Sequence, residues 1–383
     1  MSAEGERDEA PAACGCERPG GGAASGETLS PRDLGYAMPP EWAPQLGVWL
    51  VWPHNAETWP GRLEQVERAF AEMIDALAAV EHVFLVVPPE GGAARVGAQL
   101  ADLGVPLAQV HLLEWPTDDS WVRDTGATFV VRERAAAGPS GAGRRRERAA
   151  VRWRFNAWGG KYPPWEQDAA LAARMADWLG APLFEAGAVL EGGAIEVNGR
   201  GSVLVTEQCL LHPNRNPGLG REQIERLLER CLGVEQVLWL EAGIAGDDTD
   251  GHVDDVARFV APDTIVCAVE SDPAHPNYHP LQANLERLHR FRDADGRPFR
   301  IIQLPMPPDV ENERGELLPA SYANFLIANG TVLVPAFEPR ADVEAMHVLQ
   351  SALPRHQLVP IPSRDLVLGL GAVHCLTQQV PAI

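Results

Sequence analysis

A single cysteine follows a glycine-rich turn near the end of the chain, in Gly369-Leu-Gly-Ala-Val-His-Cys375-Leu-Thr-Gln-Gln379. A thiol on a pliant backbone with polar amides behind it has the layout of a presented nucleophile rather than of a packed core residue. Cysteine suits that task because a small fraction is thiolate near neutral pH and a cationic neighbour raises it. The neighbour must also hand a proton to the leaving group. Gly251-His252-Val-Asp254-Asp255 offers an imidazole and a carboxylate two residues apart, which on a strand share one face. Asp118-Asp119-Ser-Trp121-Val-Arg123-Asp124 and Glu191-Gly192-Gly193 add carboxylates beside turn-forming residues. Each segment alone reads as readily as a solvated strand edge or an acidic loop.

Together they suit attack on a cationic planar carbon. Carboxylates grip a guanidinium through paired hydrogen bonds and orient it for a thiolate, whereas an amide hydrolase needs an oxyanion hole. The chain resembles the agmatine deiminase family, in the guanidino-group-modifying pentein superfamily that includes bacterial peptidyl-arginine deiminase-like proteins. The resemblance runs from Met38-Pro-Pro-Glu-Trp42 through Asp119 to Asp124, Phe155-Asn-Ala-Trp-Gly-Gly-Lys-Tyr162, Leu190 to Gly193 and Asn214-Arg-Asn-Pro217. It continues with Gly246-Asp-Asp-Thr-Asp-Gly-His252, Ser321-Tyr-Ala-Asn-Phe325 and His374 to Gln379, and so covers residues 36 to 383. Leu370, Ala372 and Ala127 stand where the family usually has glycine, asparagine and proline.

The resemblance implies Cys375 as nucleophile, His252 as acid and base, Asp124 and Asp254 as holders of the guanidinium, and Glu191 as the group that orients the imidazole. It also places Trp121 near the amine end of the substrate, where an aromatic face accepts cations and methylenes. His374, beside the thiol, faces away from Cys375 on an extended segment and reads as packing. The implied reaction is deimination of agmatine to N-carbamoylputrescine and ammonia, in putrescine biosynthesis or arginine and agmatine catabolism, with no metal or organic cofactor. Deimination of free or peptidyl arginine, amidino transfer and a non-catalytic binding propeller are the competing readings.

The elements that must position these groups are short. Apolar or β-branched runs begin at Val83, Thr128, Ser202, Thr264 and Thr331, with helical patterns between them. One spans Arg62 to Val80, with Leu63, Val66, Phe70, Ile74 and Leu77 on one face; others cover Glu222 to Cys231 and Leu281 to Phe291. A repeated β/α module fits this better than a Rossmann sheet. The resemblance supplies the rest: an α/β fold, a single-domain five-bladed pseudo-symmetric propeller with the site on its axis.

Residues 1 to 35 are rich in Gly, Ala and Glu and read as a disordered acidic tail, with the folded domain over 36 to 383. Ala135 to Ala149, with Arg144-Arg-Arg-Glu-Arg148, reads as a long solvated hairpin loop. A net charge of −21 argues against nucleic acid and anionic membranes and favours a small cationic guanidine substrate. The absence of a long apolar run and of an N-terminal leader pattern points to a cytoplasmic protein; homo-oligomerisation is left open. The six cysteines show no disulfide or metal spacing, Cys209 and Cys267 reading as buried small hydrophobes. Lys161 is the sole lysine among 32 basic residues, in a Gly-Gly-Lys turn.

Overall fold

The computed structural model describes residues 29–135 and 144–383. Sixteen strands among them form five separate sheets. The first holds β1 (Gln45–Val51), β2 (His82–Val87) and β3 (Val110–Glu114). The second holds β4 (Thr128–Ala135), β5 (Arg144–Arg154) and β6 (Leu183–Val189); the third β7 (Glu196–Val197), β8 (Ser202–Thr206) and β9 (Gln236–Leu240). The fourth holds β10 (Ala257–Ala261), β11 (Thr264–Val269) and β12 (Arg300–Pro305), and the fifth β13 (Leu326–Ala328), β14 (Thr331–Ala336) and β15 (Gln357–Pro362). The last strand, β16 (Gln378–Pro381), returns to pair with β1.

One pattern recurs in all five sheets. An antiparallel pair, β4 with β5, β7 with β8, β10 with β11, β13 with β14 and β16 with β1, is followed by a parallel partner. Helical segments make each parallel crossover, because parallel neighbours cannot be joined by a tight turn. Helix Leu63–Ala78 links β1 to β2 and buries Val66, Phe70, Ile74 and Leu77, the stripe expected from its periodicity. Helix Pro339–Ala352 starts where Glu338 accepts the N–H groups of Arg340 and Ala341, both at 3.0 Å, with proline at the first turn.

The expected β/α repeat is therefore present, but two of the five expected runs occupy a different position in it from the other three. The equivalent central strands are β1, β5, β8, β11 and β14, not the runs starting at Val83 and Thr128. β5 escapes a hydrophobicity reading because its first half carries arginines. Arg144 to Arg148 lie in β5, opposite Val131 to Ala135, rather than in a loop. The expected tail, with Cys14 and Cys16, lies mostly outside the described residues. Its end does not: Arg32–Leu34 form a 3-10 turn, Ser30 is buried, and Arg32 donates to the Val234 carbonyl at 2.9 Å. No helix among the described residues is long and apolar enough to cross a membrane.

Candidate active site

The chemistry-bearing residues share one address in the repeat: the segment just before the first strand of a sheet. Asp124 lies in the helical turn Val122–Thr125 ahead of β4, and Glu191 precedes β7. His252 and Asp254 precede β10, Asn324 precedes β13 and Cys375 precedes β16. Residues as far apart in sequence as Arg123 and Cys375 thereby become neighbours. The Arg123 N–H donates to the Cys375 carbonyl at 3.2 Å, and the Gly193 N–H to Asp124 Oδ1 at 3.0 Å.

His252 and Asp254 do not sit on a strand as expected. They flank and form the 3-10 turn Val253–Asp255, yet still point to the same place. A Cβ added to Gly193 would lie 2.5 Å from His252 Nδ1, 3.0 Å from Asp254 Oδ2 and 3.1 Å from Asp124 Oδ1. Three functional groups crowd one point that only a glycine can border.

Cys375, Asp124 and Trp121 line a cavity of about 780 Å³; His252, Asp254 and Glu191 stand buried behind that wall. Cys375 Sγ lies 4.0 Å from Asp254 Oδ2. His252 Nδ1 lies 3.8 Å from Asp124 Oδ2, and Nε2 lies 3.7 Å from Glu191 Oε2, so the imidazole is bracketed by carboxylates without a close hydrogen bond to either. Asp254 Oδ1 is likewise buried without a donor. Trp121 packs its ring on Trp59 at 5.4 Å, and a Cβ at Gly371 would meet the Trp121 ring at 2.6 Å, which explains the glycine there.

Burial, then Asp254, Asp255 and Asp124, push the Cys375 thiol well above its ordinary value. Burial pushes His252 down, but Asp124, Cys209 and Glu191 outweigh it and raise the imidazole well above its usual range. Burial, with Asp254 and Glu191, raises Asp124 against the pull of His252. Burial opposes, but His374, His252 and Arg258 overcome it and hold Asp254 low. The site thus favours cations: one is built in at His252, and a second is suited to the carboxylates in the cavity wall.

Sequence reasoning missed the supports. Trp158 donates its indole N–H to Asp124 Oδ2 at 2.9 Å. Arg215 pairs with Glu191 at 2.8 Å and with Asp250 at 2.5 Å. His374 is buried, as expected, but as a polar bridge: Nδ1 lies 2.6 Å from Asp254 Oδ2 and Nε2 lies 2.8 Å from Glu41 Oε2. The motifs holding Trp158, Arg215 and Glu41 were legible; their partners were not. Among the described residues, Glu191, Cys209 and His252 have ligand atoms within 4.8 Å of one another, but a metal ion there would face the Arg215 guanidinium already paired with Glu191.

The model of the Porphyromonas-type peptidyl-arginine deiminase family matches residues 37–381. The chain belongs to this family. Its relatives include the agmatine deiminase of Pseudomonas fluorescens, 39% identical over 375 residues, which span 92% of this chain and 97% of that one. Among solved structures, the agmatine deiminase of Enterococcus faecalis is 33% identical with a TM-score of 0.83, covering 92% of this chain and 98% of that one. The C. jejuni agmatine deiminase with substrate bound is 30% identical with a TM-score of 0.78, covering 90% of this chain and 96% of that one. The family's mixed α/β pentein architecture accords with the five α/β sheets seen here.

Proposed function

We propose that this chain is an agmatine deiminase, hydrolysing agmatine to N-carbamoylputrescine and ammonia through a covalent intermediate on Cys375. The observation that carries this reading is the Cys375 sulfur in a cavity wall 4.0 Å from Asp254, whose Oδ1 is buried without a donor. A planar cation with several N–H groups satisfies such an acceptor while presenting its carbon to sulfur. The named relatives support the same substrate.

Asp124 and Asp254 hold the guanidinium. The incoming positive charge offsets the carboxylates that keep the thiol protonated; the thiol releases its proton to solvent, and the thiolate adds to the guanidinium carbon as the C=N electron pair moves onto nitrogen. His252, oriented by Glu191, donates a proton to the departing nitrogen, which leaves as ammonia, and an amidino-thioether remains. The now neutral imidazole takes a proton from water as it adds to that carbon; C–S cleavage releases the thiolate and the ureido product, whose hydroxyl proton passes to solvent as the carbonyl forms. Trp121 covers the aliphatic or amine end.

Agmatine is favoured over arginine because six carboxylates line the cavity (Glu57, Asp118, Asp119, Asp124, Asp168 and Asp248) against one lysine. That lysine, Lys161, is engaged at 3.0 Å with Asp250. A substrate α-carboxylate meets repulsion where a second ammonium meets attraction. The same reading takes the five sheets as blades of a pseudo-symmetric propeller, supported by the equivalent placement of site residues before each first strand. It extends to a cytoplasmic enzyme of putrescine formation or agmatine breakdown, since its product needs only to lose a carbamoyl group to become putrescine.

Ammonia release from agmatine, free arginine and a C-terminal arginine peptide tests the assignment, with agmatine expected to lead in kcat/KM. Cys375→Ala is expected to abolish turnover while leaving agmatine binding measurable. Comparable turnover by that variant overturns the covalent route; preference for arginine overturns the substrate.

A further inference from the structure

Four of the five segments that precede a first strand have a role in the reading above: those of Asp124, Glu191, His252 with Asp254, and Cys375. The fifth, Ser321-Tyr-Ala-Asn324, has none, yet its asparagine makes the shortest polar contact to the sulfur. Asn324 is fully buried, and its Nδ2 lies 3.1 Å from Cys375 Sγ. The same nitrogen lies 2.9 Å from Asp255 Oδ1.

The orientation of this amide follows from its surroundings. Asn324 Oδ1 lies 2.9 Å from the His374 backbone nitrogen and 3.4 Å from that of Cys375. Backbone N–H groups can only donate, so the oxygen belongs on that side and the NH2 group faces the sulfur and the Asp255 carboxyl. Each amide hydrogen then has one acceptor. Asp255 is itself fixed by its place in the Val253–Asp255 turn, whose Asp255 carbonyl accepts the Ser321 hydroxyl at 2.8 Å. The two segments are tied at both ends of this contact.

We propose that Asn324 is a catalytic residue that stabilises the Cys375 thiolate by an N–H···S hydrogen bond, and that Asp255 is the positioning residue that aims it. The proposal rests on Cys375 being the nucleophile. It also answers an electrostatic need: the sulfur is faced by Asp254 and Asp255 from one segment and Asp124 from another, all hostile to a thiolate, while His374 turns its ring to Asp254 and Glu41. Arg123 reaches Cys375 through its backbone N–H, to the carbonyl rather than the sulfur. Among the described side chains in contact with Sγ, Asn324 is the donor. Burial and the neighbouring Asp254 and Asp247 raise the Asp255 carboxyl well above the usual range, which lessens its own opposition to the thiolate while it accepts from Asn324.

The test uses the free enzyme and iodoacetamide, which the Cys375 thiolate attacks at carbon with loss of iodide. The rate of Cys375 alkylation is followed against pH by peptide mass, with folding checked by thermal melting. In Asn324→Ala the midpoint is expected to rise by about one pH unit or more, a roughly ten-fold loss of thiolate at fixed pH, with kcat falling and the KM for agmatine changing far less. Asp255→Ala is expected to shift the midpoint the same way by a smaller amount. An unmoved midpoint in Asn324→Ala, or a lowered one in Asp255→Ala, overturns the corresponding assignment. The wild-type protein provides a second measurement should a variant fail to fold. The side-chain amide resonances of Asn324 should titrate with the alkylation midpoint and lose that step in Cys375→Ala, and resonances indifferent to thiolate formation overturn the hydrogen bond. A protein that turns over agmatine with an unmoved midpoint keeps the proposed activity and loses this inference; an inactive protein whose midpoint moves does the reverse.

Discussion

Trp158 holds Asp124 from a backbone conformation that its own side chain disfavours. Its indole N–H reaches Asp124 Oδ2 at 2.9 Å while its φ is 53°, and Ala157 before it has φ 51°. Left-handed non-glycine residues cost about 1–3 kcal/mol each and persist where surrounding contacts impose them. Here Asn156 accepts the Gly159 N–H at 2.9 Å and donates to the Asn214 carbonyl at 2.9 Å, pinning the segment.

In the proposed mechanism that relationship makes Trp158 a support of the carboxylate that holds the guanidinium. Trp158→Phe keeps most of the ring and removes the donor, leaving Asp124 Oδ2 buried and unpaired. A loss of about 1.5–3 kcal/mol in kcat/KM for agmatine is expected, as for hydrogen bonds to charged groups. Wild-type kcat/KM in a folded Trp158→Phe protein means that Asp124 needs no such anchor.

Asp124→Asn should do more than weaken binding. In the proposed mechanism His252 must be protonated to expel ammonia, so activity falls as pH rises through its pKa. Asp124 is the largest influence raising that pKa against burial; its neutral isostere lowers it. The alkaline limb of kcat/KM should therefore move to lower pH, on top of a loss of roughly 2–5 kcal/mol at the optimum. A pH profile of ammonia release reads both, and an alkaline limb that stays put removes Asp124 from the titration of His252.

Gly193→Ala should separate activity from stability. The new Cβ would sit 2.5 Å from His252 Nδ1, closer than such atoms approach, so the imidazole must move. A misplacement of an ångström near reacting groups costs on the order of 10²-fold in rate. Turnover is expected to collapse while the melting temperature shifts by a few degrees; full turnover means that His252 can retreat without cost.

Lys161→Arg tests the chain's single lysine. Its ammonium donates to Asp250 Oδ1 at 3.0 Å and to the Asp248 carbonyl, while Asp250 also receives Arg215 at 2.5 Å and Asn214 at 2.9 Å. With these partners Asp250 is held down to about 2 despite burial. A planar fork at Lys161 competes with Arg215 for the same carboxylate, and Arg215 is the partner of Glu191. A ten-fold drop in kcat/KM, about 1.4 kcal/mol, is expected, against no change for Arg144→Lys at the exposed start of β5. Equal behaviour of the two variants in turnover and melting makes the lysine incidental.

The sequence alone determined which groups could react and roughly how the chain repeats. Cys375, His252, Asp124, Asp254 and Glu191 stand in motifs with glycines and turn residues, each a weak signal alone, which the family resemblance joins into one expected set; apolar runs with helical stripes between them mark a β/α module. Those signals are local, since periodicity reports which residues face a core. Periodicity does not report which strand of a module a run belongs to, hence the misaligned first two sheets, nor does it see strand character in the arginine-rich half of β5.

Only the tertiary structure decided the company each group keeps. His374 looked like packing until the fold set it between Asp254 and Glu41, 120 and 333 residues away. Asn324 had no role until its amide was found between Asp255 and the Cys375 sulfur. The physical reason is that ionisation and hydrogen bonding depend on distances of a few ångströms through space. In this chain those distances are set by bringing together segments that lie one or more repeats apart, a relation that spacing along the sequence does not encode.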